Sequence, residues 1–244
     1  MMFAAKIGCP HSESTGCATR LAYNKSVRET FPIKAVLFDY GVVLSGPPDP
    51  AAWARMLAIT GLSEVEFGPA YWAPRHDYDC GLHTGIEYWR ATGLHAGLEL
   101  SEQQLADLID ADNALWTQVN QPMVDWALRL QASATPTGVL SNLGDAMTEG
   151  VLARQPWLSG FDHLVWSHTL KLAKPDPEIY RVAAEGFGYD PADILFIDDR
   201  ENNAAAGVAA GMQVILYTTQ SAFEDEMVCR GLGELWHNGK PSAE

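Results

Sequence analysis

Five short apolar runs punctuate the chain, each closed by a polar residue. They are Lys34–Asp39, built on Ala35-Val36-Leu37-Phe38, then Thr137–Ser141, Phe161–Ser167, Ile194–Asp198 and Gln213–Thr218. Runs this short, apolar throughout and flanked by glycine or polar residues, read as strands buried on both faces. The stretches between the later runs carry helical spacing. In Pro177–Gly186, for example, Ile179, Val182 and Ala183 fall on one face. Alternation of strand and helix predicts an α/β fold, a doubly wound parallel sheet with a Rossmann-like core. Such sheets gather their ligands beyond the carboxyl ends of the strands.

From Pro47 to roughly Gln131 the pattern changes, over a length too great for a plain connection. Ala51–Ile59, Gly85–Thr92, Glu102–Leu115 and Met123–Leu130 have helical spacing, with Ser101 as an N-cap. The spacing predicts a helical cap over 47–131, its last helix leading back into the sheet, set on a core formed by 34–46 and 132–244. Residues 1–33 are rich in Ser, Thr, Ala and Gly without a sustained apolar period, and read as a flexible extension.

Composition narrows the function classes. Of 244 residues 47% are apolar and 19% charged, as in ordinary globular proteins, and no apolar run approaches a membrane span. The start, Met1–Pro10, has one lysine and no long hydrophobic stretch, so the reading is cytoplasmic. Sixteen basic against 31 acidic residues give a net charge of −15, which repels nucleic acid and anionic membranes. A small phosphorylated substrate stays admissible, since a few local cations and N–H groups hold a phosphate against the global field. Cys9, Cys17, Cys80 and Cys229 are too scattered for a disulfide framework, and Cys9, His11 and Cys17 lack the fourth partner of a zinc site.

Four polar groups close the predicted strands or the loops beyond them: Asp39-Tyr40-Gly41, Ser141-Asn142, Lys174-Pro175-Asp176 and Asp198-Asp199. Singly, each has a structural explanation as a helix cap, a Pro-initiated turn or a first-turn acid. Their order and spacing make the case for a site. Over about 35–218, and most specifically in Leu170–Asn203, the chain resembles the haloacid dehalogenase-like hydrolase superfamily. The nearer resemblance is to its phosphatase branch with a helical cap after the first strand, which includes sugar-1-phosphate phosphatases and the phosphatase domain of soluble epoxide hydrolase.

That resemblance implies Asp39 as the nucleophile that becomes an aspartyl-phosphate, Ser141 and Asn142 as donors to the phosphoryl oxygens, and Lys174 as the family lysine. It implies Mg²⁺ held by Asp39, the Gly41 carbonyl, Asp198 and Asp199. The chemistry agrees, because a carboxylate attacking a phosphate dianion needs a cation with hard oxygen ligands between the two. One departure stands out: Gly41 occupies the position of the second aspartate that protonates the leaving alcohol in most of these phosphatases, a role worth roughly 10²–10⁴ in rate. A good leaving group, a proton from the cap, or ligand binding with little turnover each answers it. The cap segment Tyr71-Trp72-Ala73-Pro74-Arg75-His76-Asp77-Tyr78-Asp79, with His83 and Tyr88-Trp89-Arg90, offers groups suited to a sugar ring or to packing alike. A dehalogenase of the same superfamily and a noncatalytic phospholigand-binding module are the competing functions. Oligomeric state stays open.

Overall fold

A computed structural model of the chain describes residues 32–239. The extension read over 1–33, apart from its last two residues, and the Cys9, His11, Cys17 group lie outside the described residues. The strands are β1 (Ala35–Phe38), β2 (Thr137–Ser141), β3 (His163–Trp166), β4 (Ile194–Asp198) and β5 (Gln213–Leu216). All pair in parallel in the order β3-β2-β1-β4-β5, with Val36 opposite Thr137 and Ala35 opposite Ile194. This is the predicted α/β architecture. The third and fifth strands are shorter than their apolar runs: Ser167 opens a helix, and β5 ends at Leu216, with Tyr217 N still donating to the Asp198 carbonyl at 2.8 Å.

Helices α1 (Pro50–Thr60), α2 (Glu64–Trp72), α3 (Arg75–Asp79), α4 (Gly85–His95) and α5 (Glu102–Leu115) form the insertion. There follow α6 (Gln121–Ala132), α7 (Asp145–Arg154), α8 (Ser167–Leu170), α9 (Pro177–Phe187), α10 (Glu201–Ala209), α11 (Gln220–Cys229) and α12 (Gly233–Asn238). Among the described residues no helix is long and apolar enough to cross a membrane.

Side chains alternate across the sheet with the period of two that a strand imposes. Val36, Phe38, Val139 and Ile197 face one layer, closed by Met147 of α7, Phe223 of α11 and Trp236 of α12. Ala35, Leu37, Leu140 and Phe196 face the other, where α9 contributes Ile179, Tyr180 and Ala183. β1 is therefore sealed on both faces, its four residues at 0% exposure.

Two features of the insertion differ from the sequence reading. First, α6, read as the last cap helix, packs Met123, Val124, Trp126, Ala127 and Leu130 into the layer under the sheet. The insertion's own apolar cluster draws instead on α1 to α5, from Ala52 to Leu115. Helical period is identical whichever partner a helix packs on, so spacing alone does not locate this division. Second, α2 and α3 escape the periodicity: Pro69 lies inside α2, and Pro74 separates it from the five-residue α3.

The insertion sits close against the core. Met147 N donates to Tyr78 Oη at 3.1 Å and Gly85 N to Asp145 Oδ1 at 2.9 Å. Gly144 permits this approach, since a Cβ there would fall 2.1 Å from the Tyr78 ring.

Candidate active site

β1 is the topological switch point. From it the chain moves outward to β2 and β3, then returns to place β4 and β5 on the other side, and crevices at such points receive ligands. Asp39 follows the last residue of β1, is 6% exposed, and is pinned to β4 by Asp39 N donating to the Ile197 carbonyl at 2.8 Å. Its Oδ1 accepts from Tyr40 N at 2.7 Å and pairs with Lys174 Nζ at 2.9 Å.

Beyond Asp39 the chain turns sharply. Gly41 is extended (φ −62°, ψ 128°), whereas Val42 is held at φ 62°, a left-handed conformation that costs a β-branched residue strain. Val42 N donates to Ser45 Oγ at 2.9 Å, and that hydroxyl donates to the Gly46 carbonyl at 3.0 Å, which fixes the turn. Asparagine tolerates the left-handed region better. Val42→Asn is expected to raise unfolding stability by about 1 kcal/mol, read from urea denaturation. An unchanged or lower midpoint would remove strain from the description of this turn.

Lys174 gathers the carboxylates. Its Nζ lies 2.9 Å from Asp39 Oδ1 and 2.6 Å from Asp198 Oδ2, with the side chain 1% exposed. Asn142 aims it: Asn142 Nδ2 donates to the Lys174 carbonyl at 2.9 Å and Lys174 N donates to Asn142 Oδ1 at 2.8 Å. The Asn142 carboxamide is thus engaged with the lysine backbone. Ser141 closes β2, is 3% exposed, and its Oγ makes no side-chain hydrogen bond among the described residues.

Both oxygens of Asp198 are held in place. Oδ1 accepts from Arg200 N at 2.8 Å and Asn203 Nδ2 at 3.1 Å, and Oδ2 from Lys174 Nζ and Asn203 Nδ2 at 3.2 Å. Asn203, in the first turn of α10, is a site residue that sequence reasoning missed. Its signal was an asparagine five positions after a strand-end aspartate, a spacing that no periodicity template scores.

One carboxylate oxygen from each of Asp39, Asp198 and Asp199 can lie within 4.8 Å of the others. Burial, reinforced by Asp198 and Asp199 and opposed by Lys174, pushes the Asp39 carboxyl up to about 7. Burial and Asp198 likewise raise Asp199. Burial opposes the charge on Lys174, yet Asp39 and Asp198 outweigh it and raise the ammonium. Three buried or half-buried carboxylates facing one cation leave excess negative charge, and their hard oxygens fit a divalent ion such as Mg²⁺. Gly41 lies in the same turn, next to this cluster in sequence.

The aromatic cap segment divides in two. Tyr71, Tyr78, Tyr88 and Trp89 are at most 2% exposed and belong to the insertion's own core. They enclose Arg75, whose guanidinium lies 5.4 to 5.7 Å from the three tyrosine rings. Arg75 Nε donates to Asp79 Oδ1 at 2.9 Å, Nη1 to Tyr71 Oη at 2.7 Å and to Asp112 Oδ2 at 3.4 Å. Trp72, His76, Asp77 and Arg90 are exposed, and His83 is half-buried.

A family profile described as haloacid dehalogenase-like hydrolase matches residues 33–211. An (S)-2-haloacid dehalogenase of Pseudomonas putida is 28% identical over 152 residues, covering 60% of this chain and 66% of that protein, just under two thirds of its length. A phosphoglycolate phosphatase of Nitrosospira multiformis is 27% identical over 197 residues, covering 75% of this chain and 82% of that one. Among solved structures, a HAD family enzyme of Bacteroides thetaiotaomicron superposes with a TM-score of 0.67 at 23% identity, over 80% of this chain and 98% of that chain. The same enzyme has been solved in complex with magnesium and inorganic phosphate.

Proposed function

The chain belongs to the haloacid dehalogenase-like hydrolases, and we propose that it is a Mg²⁺-dependent phosphoric monoester hydrolase. It acts in the cytoplasm on a small phosphorylated metabolite, a sugar phosphate being one class, through an aspartyl-phosphate on Asp39. The observation that carries this reading is the approach of Asp39, Asp198 and Asp199 within 4.8 Å around one lysine. Displacement of halide from carbon has no use for two further carboxylates beside the nucleophile, whose charge would oppose attack. Attack on a phosphate dianion requires a cation, and these groups would hold one.

Asp39, Asp198, Asp199 and the Gly41 carbonyl would hold Mg²⁺, which when bound offsets charge and polarises the phosphoryl oxygens. The free oxygen of Asp39 attacks phosphorus as the P–O bond to the leaving alcohol breaks. Lys174, held by Asn142 and Asp198, places positive charge beside the phosphoryl oxygens, and Ser141 donates a hydrogen bond to one of them. Asn203 and the Arg200 N–H fix Asp198, so the lysine meets substrate in one orientation. Water then cleaves the aspartyl-phosphate and restores Asp39. The net charge of −15 supports a small substrate captured by this local cluster rather than nucleic acid or an anionic membrane.

One observation favours a second reading: Gly41 supplies no acid, and halide leaves without a proton. The two readings part on metal dependence. Hydrolysis of 4-nitrophenyl phosphate is expected to vanish in EDTA and return with Mg²⁺, with no chloride released from (S)-2-chloropropionate. Phosphatase turnover undiminished in EDTA, or chloride release in EDTA, would remove the proposal.

A further inference from the structure

Sheet register fixes Asp39 against the end of β4, because β1 and β4 are paired along their length and Asp39 N donates to the Ile197 carbonyl at 2.8 Å. Gly41 lies beyond that last rung, in a turn that must be held from elsewhere if its carbonyl is to meet the same cation as Asp198. We propose that Asn120 is a positioning residue that holds this turn at a fixed span from the end of β4 and thereby sets the affinity of the site for a divalent cation. The proposal rests on the phosphatase reading above.

Asn120 stands at the N-cap of α6, where an asparagine ordinarily turns its side chain back onto the first N–H groups of the helix. Here it makes no such capping bond. Its Nδ2 donates instead to the Val43 carbonyl at 2.9 Å and to Tyr217 Oη at 2.8 Å, one amide proton for each. Its backbone N donates to the Leu44 carbonyl at 3.0 Å. One residue therefore grips two successive carbonyls of the turn that carries Gly41.

Tyr217 extends the grip to the other side of the site. It directly follows β5, its N donates to the Asp198 carbonyl at 2.8 Å, and its Oη donates to Gln220 Oε1 at 3.3 Å. Direct hydrogen bonds thus run from Val43 to Asn120, from Asn120 to Tyr217 and from Tyr217 to Asp198. They join the turn after β1 to the end of β4 by a route outside the ladder between those strands.

The segment that returns from the insertion is bonded to the turn at other points. Tyr40 Oη donates to the Trp116 carbonyl at 2.8 Å, Gly46 N donates to the Gln118 carbonyl at 2.7 Å, and Ser45 bridges Val119. Among these contacts, Asn120 is the one whose side chain also reaches a residue bonded to Asp198. The turn has reason to relax once that grip is lost, since Val42 is held at φ 62° and a strained backbone persists only where its surroundings impose it. Groups that orient metal ligands in this way typically contribute 10–100-fold to metal affinity.

Calorimetric titration of Mg²⁺ into the metal-free protein, without substrate, tests the assignment. Asn120→Ala is expected to weaken Mg²⁺ binding about 10–100-fold, and Tyr217→Phe, which removes the hydroxyl from the path, roughly threefold or more. Gln155→Ala supplies the control. It frees the Thr117 carbonyl from a 2.7 Å bond in the same returning segment without touching the turn, and is expected to bind Mg²⁺ as the wild type does. Unchanged affinity in folded Asn120→Ala overturns the proposal and leaves the phosphatase reading standing. A loss in Gln155→Ala as large as that in Asn120→Ala also overturns it, by assigning the effect to a general loosening of the segment. If Asn120→Ala does not fold, Tyr217→Phe decides: weaker binding supports the path, and unchanged binding overturns it. Failure of the wild-type protein to bind Mg²⁺ overturns both this proposal and the phosphatase reading.

Discussion

Asp39→Asn is expected to lower kcat by roughly 10⁴-fold or more on any phosphate ester while leaving the protein folded. The amide matches the carboxylate in size, so the close packing at the end of β1 is kept. What disappears is the nucleophile, and with it one donor to the proposed cation. The change also relieves repulsion in a cluster that holds three carboxylates against one lysine. The variant therefore stays folded and has a thermal midpoint no lower than wild type in EDTA. Retained turnover in a folded Asp39→Asn protein would transfer the chemistry to another residue.

The second large effect is structural. Arg75→Met is expected to cost about 3–5 kcal/mol, because it leaves Asp79 and Asp112 buried without their counter-charge. For a chain of this size that corresponds to a fall in Tm on the order of 10 °C. Burial raises both carboxyls above their unfolded range, Asp79 to about 6. A carboxyl raised in the folded state penalises folding once the pH exceeds its unfolded value, about 3.9. Arg75 offsets that penalty only where the carboxylates are ionised. The loss from Arg75→Met should therefore be larger at pH 8 than at pH 5, measured by urea unfolding at both. A loss independent of pH would assign the effect to packing against the tyrosines instead. Arg75→Lys should not restore wild-type stability, since an ammonium cannot reproduce the planar fork among the three rings.

The strand-end residues were legible because each stops an apolar run, and an aspartate or serine there has nothing apolar to pack on. Asp39, Ser141 and Asp198 declared themselves this way, whereas Lys174 was legible only through the family resemblance, its position before a proline and a helix reading equally as a turn. Their partners were hidden. Asn142 was read as a phosphate donor; the grip of its carboxamide on the Lys174 backbone 32 residues away could not be read, because only the folded chain brings those groups together. Arg75 had the composition of a sugar-binding group and proves to be enclosed, because burial of a long cation depends on two aspartates, one of them, Asp112, 37 residues distant. The left-handed backbone of Val42 has no signature in residue type. The sheet was read correctly because buried strands announce themselves locally. The division at α6 was missed because its apolar face records that a partner exists and not which one.

The most direct test is to quench the Mg²⁺-supplemented reaction in acid during turnover of a phosphate ester and map the phosphoryl group by mass spectrometry of peptides. The account predicts a phosphorylated peptide carrying Asp39, absent in EDTA and absent from Asp39→Asn. Turnover accompanied by phosphate on another residue, or by no covalent phosphate under conditions where attack outpaces hydrolysis, would contradict it.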